Sequence, residues 1–133
     1  MNRGQVMQVD REKCLALLGS GGIGRVVYTA GALPAAQPVA YVLDAGEVLF
    51  GTPVAGELAE ATRNAVVAFE IDQIDCGSGA GWTVLGIGET YDVTDPGRVG
   101  ALAERTPAGF SAIGGRVVAL PLARLTGRWI EVR

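Results

Sequence analysis

The chain has 133 residues, 49% hydrophobic and 19% charged, a balance that belongs to a globular protein and suits one domain spanning 1–133. The net charge is −3 and the eleven cations are scattered, all arginine except Lys13, so no basic face exists to displace counterions from nucleic-acid phosphates. No apolar run approaches the roughly 20 residues that cross a bilayer, and Met1–Gln5 carries no apolar signal core, so the expected setting is cytoplasmic, with no membrane partner.

Asp10 is a good helix cap, and Arg11–Leu18 reads as a short helix with Cys14, Leu15 and Leu18 on one face. Gly19–Gly22 stops it. Three strand-like runs follow, Gly24–Thr29, Gln37–Leu43 and Val48–Thr52. Turns are expected between them at Ala30–Pro34 and at Asp44–Glu47, where Gly46 can take a positive φ. Gly56–Arg63 reads as a helix and Ala65–Asp72 as a strand, followed by a Gly-, Ser- and Asp-rich loop to Gly81.

Trp82–Val93 reads as one long strand, with Val84, Gly86 and Gly88 on one face and Leu85, Ile87 and Glu89 on the other. Its interior glycines predict a sharp bend or a close backbone approach. Asp95–Pro96 opens a third helix, with Val99, Leu102 and Ala103 as its apolar face. A loop is expected over Thr106–Gly115, then strands at Arg116–Leu120 and Leu125–Val132. Strands joined by tight turns pair antiparallel. About seven strands and three short helices therefore predict a mainly β fold, a split antiparallel β-barrel of Greek-key-like order, with a β-sandwich as the alternative.

The absence of histidine excludes Ser-His-Asp and Cys-His catalysis in their usual forms, and histidine zinc sites with them. Cys14 and Cys76 are too far apart in sequence to make a metal motif and read as reduced thiols. Glu70, Asp72 and Asp75 form an acidic strand end, but no second cluster completes an oxygen-ligand shell, so no metal is expected. Gly19-Ser20-Gly21-Gly22-Ile23-Gly24 matches G-x-G-x-x-G. A dinucleotide loop must follow a strand and open a helix; here the order is inverted, so the glycines read as a helix stop.

The order Gly24-Arg25-Val26, Gln37-Pro38-Val39-Ala40-Tyr41-Val42, Phe50-Gly51-Thr52, Glu57-Leu58, Val67–Asp72, Gly81-Trp82-Thr83-Val84, Gly88 and Thr126-Gly127-Arg128 resembles the FMN-binding split barrel of the pyridoxamine 5′-phosphate oxidase-like proteins. The resemblance runs roughly from Arg11 to Arg128. It implies a flavin cofactor, FMN or alternatively a deazaflavin, and a flavin-dependent oxidoreductase whose small-molecule sites lie at a homodimer interface.

On that resemblance, alternating residues of the second strand run, Pro38, Val39 and Tyr41 among them, line the isoalloxazine. Phe50, Gly51, Thr52, Glu57 and Leu58 surround the phosphate, and Trp82 and Thr83 approach from the partner subunit. Many relatives carry Arg where this chain has Gly51, and Lys where it has Glu57. A flavin phosphate carries about −1.5 to −2 charges, and each lost charge-assisted hydrogen bond costs roughly 1.5–3 kcal/mol. Arg25 or Arg63 could compensate if the fold brings one of them near. A flavin-free member of the same fold, kept as a binding or interaction protein, is the alternative.

Overall fold

Two-residue turns set the register of the central hairpins. In the computed structural model, which describes residues 5–106 and 115–131, β2 (Gly22–Ala30) turns into β3 (Leu33–Asp44) through Gly31 and Ala32. These have φ of 56° and 66°, the pair of positive values that matches the twist of a tight hairpin. Ala45 and Gly46, at 52° and 77°, do the same between β3 and β4 (Glu47–Thr52). The first turn is thus tighter than Ala30–Pro34, and Leu33 and Pro34 already belong to β3. Both Pro34 and Pro38 are tolerated because β4 pairs only with Tyr41–Asp44, which leaves the start of β3 without a neighbour on that side.

The remaining elements are β1 (Gln5–Val9), α1 (Arg11–Leu18), α2 (Glu57–Ala61), β5 (Val66–Ile74), β6 (Ala80–Glu89), β7 (Tyr91–Asp92), α3 (Pro96–Arg105), β8 (Arg116–Pro121) and β9 (Arg124–Glu131). Asp10 caps α1 by accepting from the Lys13 amide at 2.8 Å, and Asp95 caps α3 by accepting from the Arg98 amide at 3.2 Å. Beyond α1 the chain reverses through Gly21, at φ 69°, where the amide of Gly21 bonds the carbonyl of Leu18 at 3.0 Å. The glycines there do end a helix and admit a strand. The expected loop over Thr106–Gly115 and the end of the last strand at Val132 fall largely outside the described residues.

The sheet order is β1-β9-β6-β5-β2-β3-β4-β8-β7, and every pairing is antiparallel. After the β2-β3-β4 meander the chain returns through α2 to set β5 beside β2, which is the Greek-key arrangement. Nine strands replace the expected seven or so. β1 adds a strand against β9, and the run read as Trp82–Val93 is two strands with different partners, β6 on β9 and β7 on β8. Thr90 makes the break. Its buried hydroxyl donates to the Thr62 carbonyl at 2.7 Å and accepts from the Ala65 amide at 3.1 Å.

The sheet curls until β6 meets the end of β8. At Gly88 a β-carbon would overlap the carbonyl oxygen of Pro121, so only glycine lets the seam close. Inside the curl, Val26, Tyr28, Tyr41, Phe50, Phe69, Val84, Val118 and Leu120 pack with Cys14 and Leu18 of α1 and Leu58 of α2. Tyr41 and Phe69 meet edge to face at 4.8 Å between ring centroids. A second, smaller core lies outside the curl, where Leu102 and Val99 of α3 cover Val42, Leu49, Val117 and Ala119. Ala103, expected on that apolar face, is exposed instead. Among the described residues no helix is long and apolar enough to cross a membrane.

Candidate functional site

Successive residues of a strand point to opposite faces, and this divides the sequence-predicted site. Val39, Tyr41, Phe50 and Thr52 point into the curl and are buried there. Tyr41 donates its hydroxyl to the Leu18 carbonyl at 2.9 Å, and burial pushes its pKa up to about 12. Pro38, paired with Arg25, and Gly51, paired with Val117, lie on the outer face. Trp82 packs against the inner core, whereas Thr83 faces outward and donates to Glu70 at 3.0 Å. Trp82 and Thr83 therefore present their side chains to two different spaces.

The segment matched to a phosphate site lies where β4 runs into α2. Thr52 spends its hydroxyl on the Pro53 carbonyl at 3.2 Å. Leu58 is buried in the core, and Glu57 accepts a hydrogen bond from the Tyr28 hydroxyl at 2.8 Å. That bond, more than burial, holds the Tyr28 phenol above its ordinary range. A groove of about 330 Å³ beside it is lined by Thr29, Ala30, Gly31, Glu57, Glu60 and Ala61.

Of the two arginines expected to compensate, the fold brings Arg63 here and sends Arg25 elsewhere. Arg63 donates to the Val54 carbonyl at 2.8 Å and sits 3.8 Å from Glu60. Two carboxylates, a glycine and one engaged arginine do not fit a phosphate dianion.

Arg25 belongs to the outer face of β2-β5-β6-β9. Its guanidinium lies 2.8 Å from Asp72 and 3.3 Å from Glu70, on which burial, and then the neighbouring Asp72, raise the pKa above the usual carboxylate range. Next to this cluster run two grooves that share Leu85 and Thr126. One, of about 160 Å³, is completed by Glu70, Thr83 and Arg128. The other, of about 380 Å³, is completed by Ile87, Arg124 and Leu125.

Sequence reading missed Arg124 as a candidate and took Arg128 only as part of a motif. The signal was there in the alternation Arg124, Thr126, Arg128, which puts three polar side chains on one face of a strand.

Comparison with known proteins places this geometry among relatives. Residues 10–129 match the profile of the family described as pyridoxamine 5′-phosphate oxidase. The uncharacterized protein Rv0080 of Mycobacterium tuberculosis is 36% identical over 100 residues, covering 71% of this chain and 66% of that protein, just under two thirds of its length. Among solved structures, the FAD binding protein from Mycobacterium smegmatis superposes with a TM-score of 0.79 at 26% identity, covering 93% of this chain and 97% of that one. An FAD-binding protein from Mesorhizobium loti superposes with a TM-score of 0.77 at 17% identity, over 97% of this chain and 99% of that one, a likeness of fold.

Proposed function

Because the chain belongs to the pyridoxamine 5′-phosphate oxidase family, we propose that it is a flavin-binding protein of oxidoreductase type that works as a homodimer. The observation that carries this reading is the near full-length likeness, at 26% identity, to a mycobacterial FAD-binding protein. In such proteins the flavin supplies the redox chemistry, while the polypeptide binds, orients and shields it. That division of labour is consistent with a chain that has no histidine.

The outer sheet face supports the dimer. It leaves Ile23, Val27 and Leu85 at 47%, 37% and 37% exposure, and a second copy would bury them. Pro38, Gly51 and Thr83 share that outer side of the sheet, and Trp82 stands at the rim of the inner core. FMN is the mononucleotide that the sequence resemblance implies and a deazaflavin its alternative. The charge pattern at Gly51 and Glu57 makes the mononucleotide a weak ligand.

The test is an absorbance scan of purified protein before and after addition of FMN, FAD or a deazaflavin, with light scattering for the mass. A shifted flavin spectrum and a dimer mass support the reading; an unchanged spectrum with all three ligands overturns it. The paired substitution Gly51→Arg with Glu57→Lys is expected to strengthen FMN binding by roughly 2–5 kcal/mol and riboflavin binding little. A folded double variant with no gain would show that these positions do not face a phosphate.

The second reading, a flavin-free binding protein, is favoured by one contact. Glu57, which the sequence resemblance sets beside the flavin phosphate, is held by the Tyr28 hydroxyl.

A further inference from the structure

We propose that the outer face meets a second copy of the chain about a two-fold axis lying along β6, so that Arg128 reaches Asp72 of the partner subunit and Thr126 reaches the partner's Glu70. This rests on the homodimer reading above and gives that dimer its register and its charge pairs.

The pairing of β5, β6 and β9 builds three rungs, Asp72–Thr83–Arg128, Glu70–Leu85–Thr126 and Ala68–Ile87–Arg124. All nine residues belong to the outer side. Their neighbours in sequence go inward: Phe69, Ile71 and Val84 are buried, Leu125 packs against the inner core, and a β-carbon at Gly127 would overlap the Cys14 sulfur. The middle strand is apolar at Leu85 and Ile87. Carboxylates stand on the strand to one side of it and guanidiniums on the strand to the other.

That arrangement is complementary to itself. A two-fold contact presents the same patch on both copies, and sheets stack face to face about 10 Å apart with their strands within about 30° of each other. Rotation about a line along β6 lays β9 of one copy over β5 of the other and keeps each rung opposite itself. Leu85 then meets Leu85 of the partner subunit, and Arg128 meets the partner's Asp72. A two-fold running across the strands at the Leu85 rung would instead set Arg128 against Arg124 of the partner subunit, like charge on like. Charge therefore selects the first axis.

The groups brought together have bonding capacity left. Glu70 Oε2 accepts from Thr83 at 3.0 Å, but Oε1 is buried and accepts no hydrogen bond, although Arg25 stands 3.3 Å away. Asp72 meets Arg25 through Oδ2 at 2.8 Å, and a carboxylate has a second oxygen to offer. Among the described residues no carboxylate lies within ion-pair distance of Arg128 or Arg124. The hydroxyl of the partner's Thr126 supplies the donor that Glu70 Oε1 lacks, and the partner's Arg128 supplies one to Asp72. Arg124 falls opposite Ala68 of the partner subunit and gains no acid, which makes it an internal control.

The experiment measures the dimer dissociation constant of the full chain by analytical ultracentrifugation, with near-UV circular dichroism to verify folding. Arg128→Glu and Asp72→Lys are made separately. Each variant alone sets like charges together twice and should dissociate at least about a hundredfold more readily than the parent. Mixed in equal amounts, the two should assemble again to within about threefold of the parent, because every facing pair in the mixed dimer is then of opposite sign. Arg124→Gln should change the constant less than about twofold, and added salt should weaken the parent.

A parent dimer indifferent to both reversals, or a mixture no tighter than its components, would overturn the pairing while the homodimer reading stands. A parent that stays monomeric at every concentration would overturn both and leave flavin binding untouched. Should a reversed variant fail to fold, Arg128→Gln and Asp72→Asn decide in its place: each is expected to weaken the dimer about tenfold, and no change in either would overturn the pairing.

Discussion

The outer surface of the curled sheet is treated in two ways. Over β3, β4 and β8 it is roofed by α3, and Val42, Leu49 and Ala119 are buried beneath Leu102. Over β2, β5, β6 and β9 nothing among the described residues covers it, and Ile23, Val27 and Leu85 stay partly exposed beside an ion cluster. Both faces come from the same alternating strands, so alternation alone does not decide which outer face is finished by the chain itself. A face left apolar, grooved and charged at once has the makings of a contact surface.

The largest effect is expected under the roof. Leu102→Ala removes a fully buried side chain and should lower stability by about 2–5 kcal/mol, read from urea unfolding. That loss should not depend on protein concentration. Arg98→Ala attacks the same roof from its rim, where Arg98 holds α3 to the β3–β4 turn. It donates to Asp44 at 2.9 Å, to Glu47 at 3.0 Å and to the Tyr91 hydroxyl at 2.7 Å. Those bonds hold its pKa above the usual arginine range. The cost should be about 1.5–3 kcal/mol, with amide exchange accelerated first in α3.

On the bare face Leu85→Ser should cost under about 1 kcal/mol at low concentration. If two copies meet there, the parent's melting temperature rises with concentration, and this variant should abolish that rise. A concentration-independent parent would break the comparison.

The smallest effects are in pH, and they have opposite signs on the two sides. Asp92, beside β8, has its pKa lowered chiefly by its hydrogen bond from Arg116. A depressed folded value means stability that is present above the unfolded value of roughly 3.9 and lost as pH falls through the folded one. Asp92→Asn should flatten that acid limb. Glu70, on the bare face, has a raised folded value. Its contribution is full below the unfolded value and lost as pH rises through the folded one, and Glu70→Gln should remove that slope. Urea midpoints measured from pH 2.5 to 7 check both.

Much of the fold was legible because turns and alternation are local. Asp10 and Asp95 announce their helices, Gly46 its hairpin, and the grouping of Val84, Gly86 and Gly88 on one face of the strand is the one observed. β1 escaped because a five-residue run, Gln5–Val9, becomes a strand only by pairing with β9 at the far end of the chain.

The break at Thr90 escaped for a related reason. Its apolar pattern continues into Tyr91, and only the carbonyl of Thr62 and the amide of Ala65 explain why the strand changes partner. Neighbours such as Trp82 and Thr83 were grouped by motif, although period two sends them to opposite faces. Which face is inside is a tertiary fact. The missing cations at Gly51 and Glu57 could be read directly from sequence; that Tyr28 would fix Glu57 could not.

The chain has two tryptophans, and the register puts Trp82 directly opposite Trp129 across β6 and β9. Its native emission therefore comes from a single strand pair, the same pair whose outer side borders the grooves lined by Arg124 and Arg128. Fluorescence excited at the indole band will report the opening of that one seam rather than of the molecule, while circular dichroism follows the whole sheet. Superimposable curves from the two probes would mean that the β6–β9 pair persists until the barrel unfolds. An earlier fluorescence transition would identify β9 as the strand that peels away first.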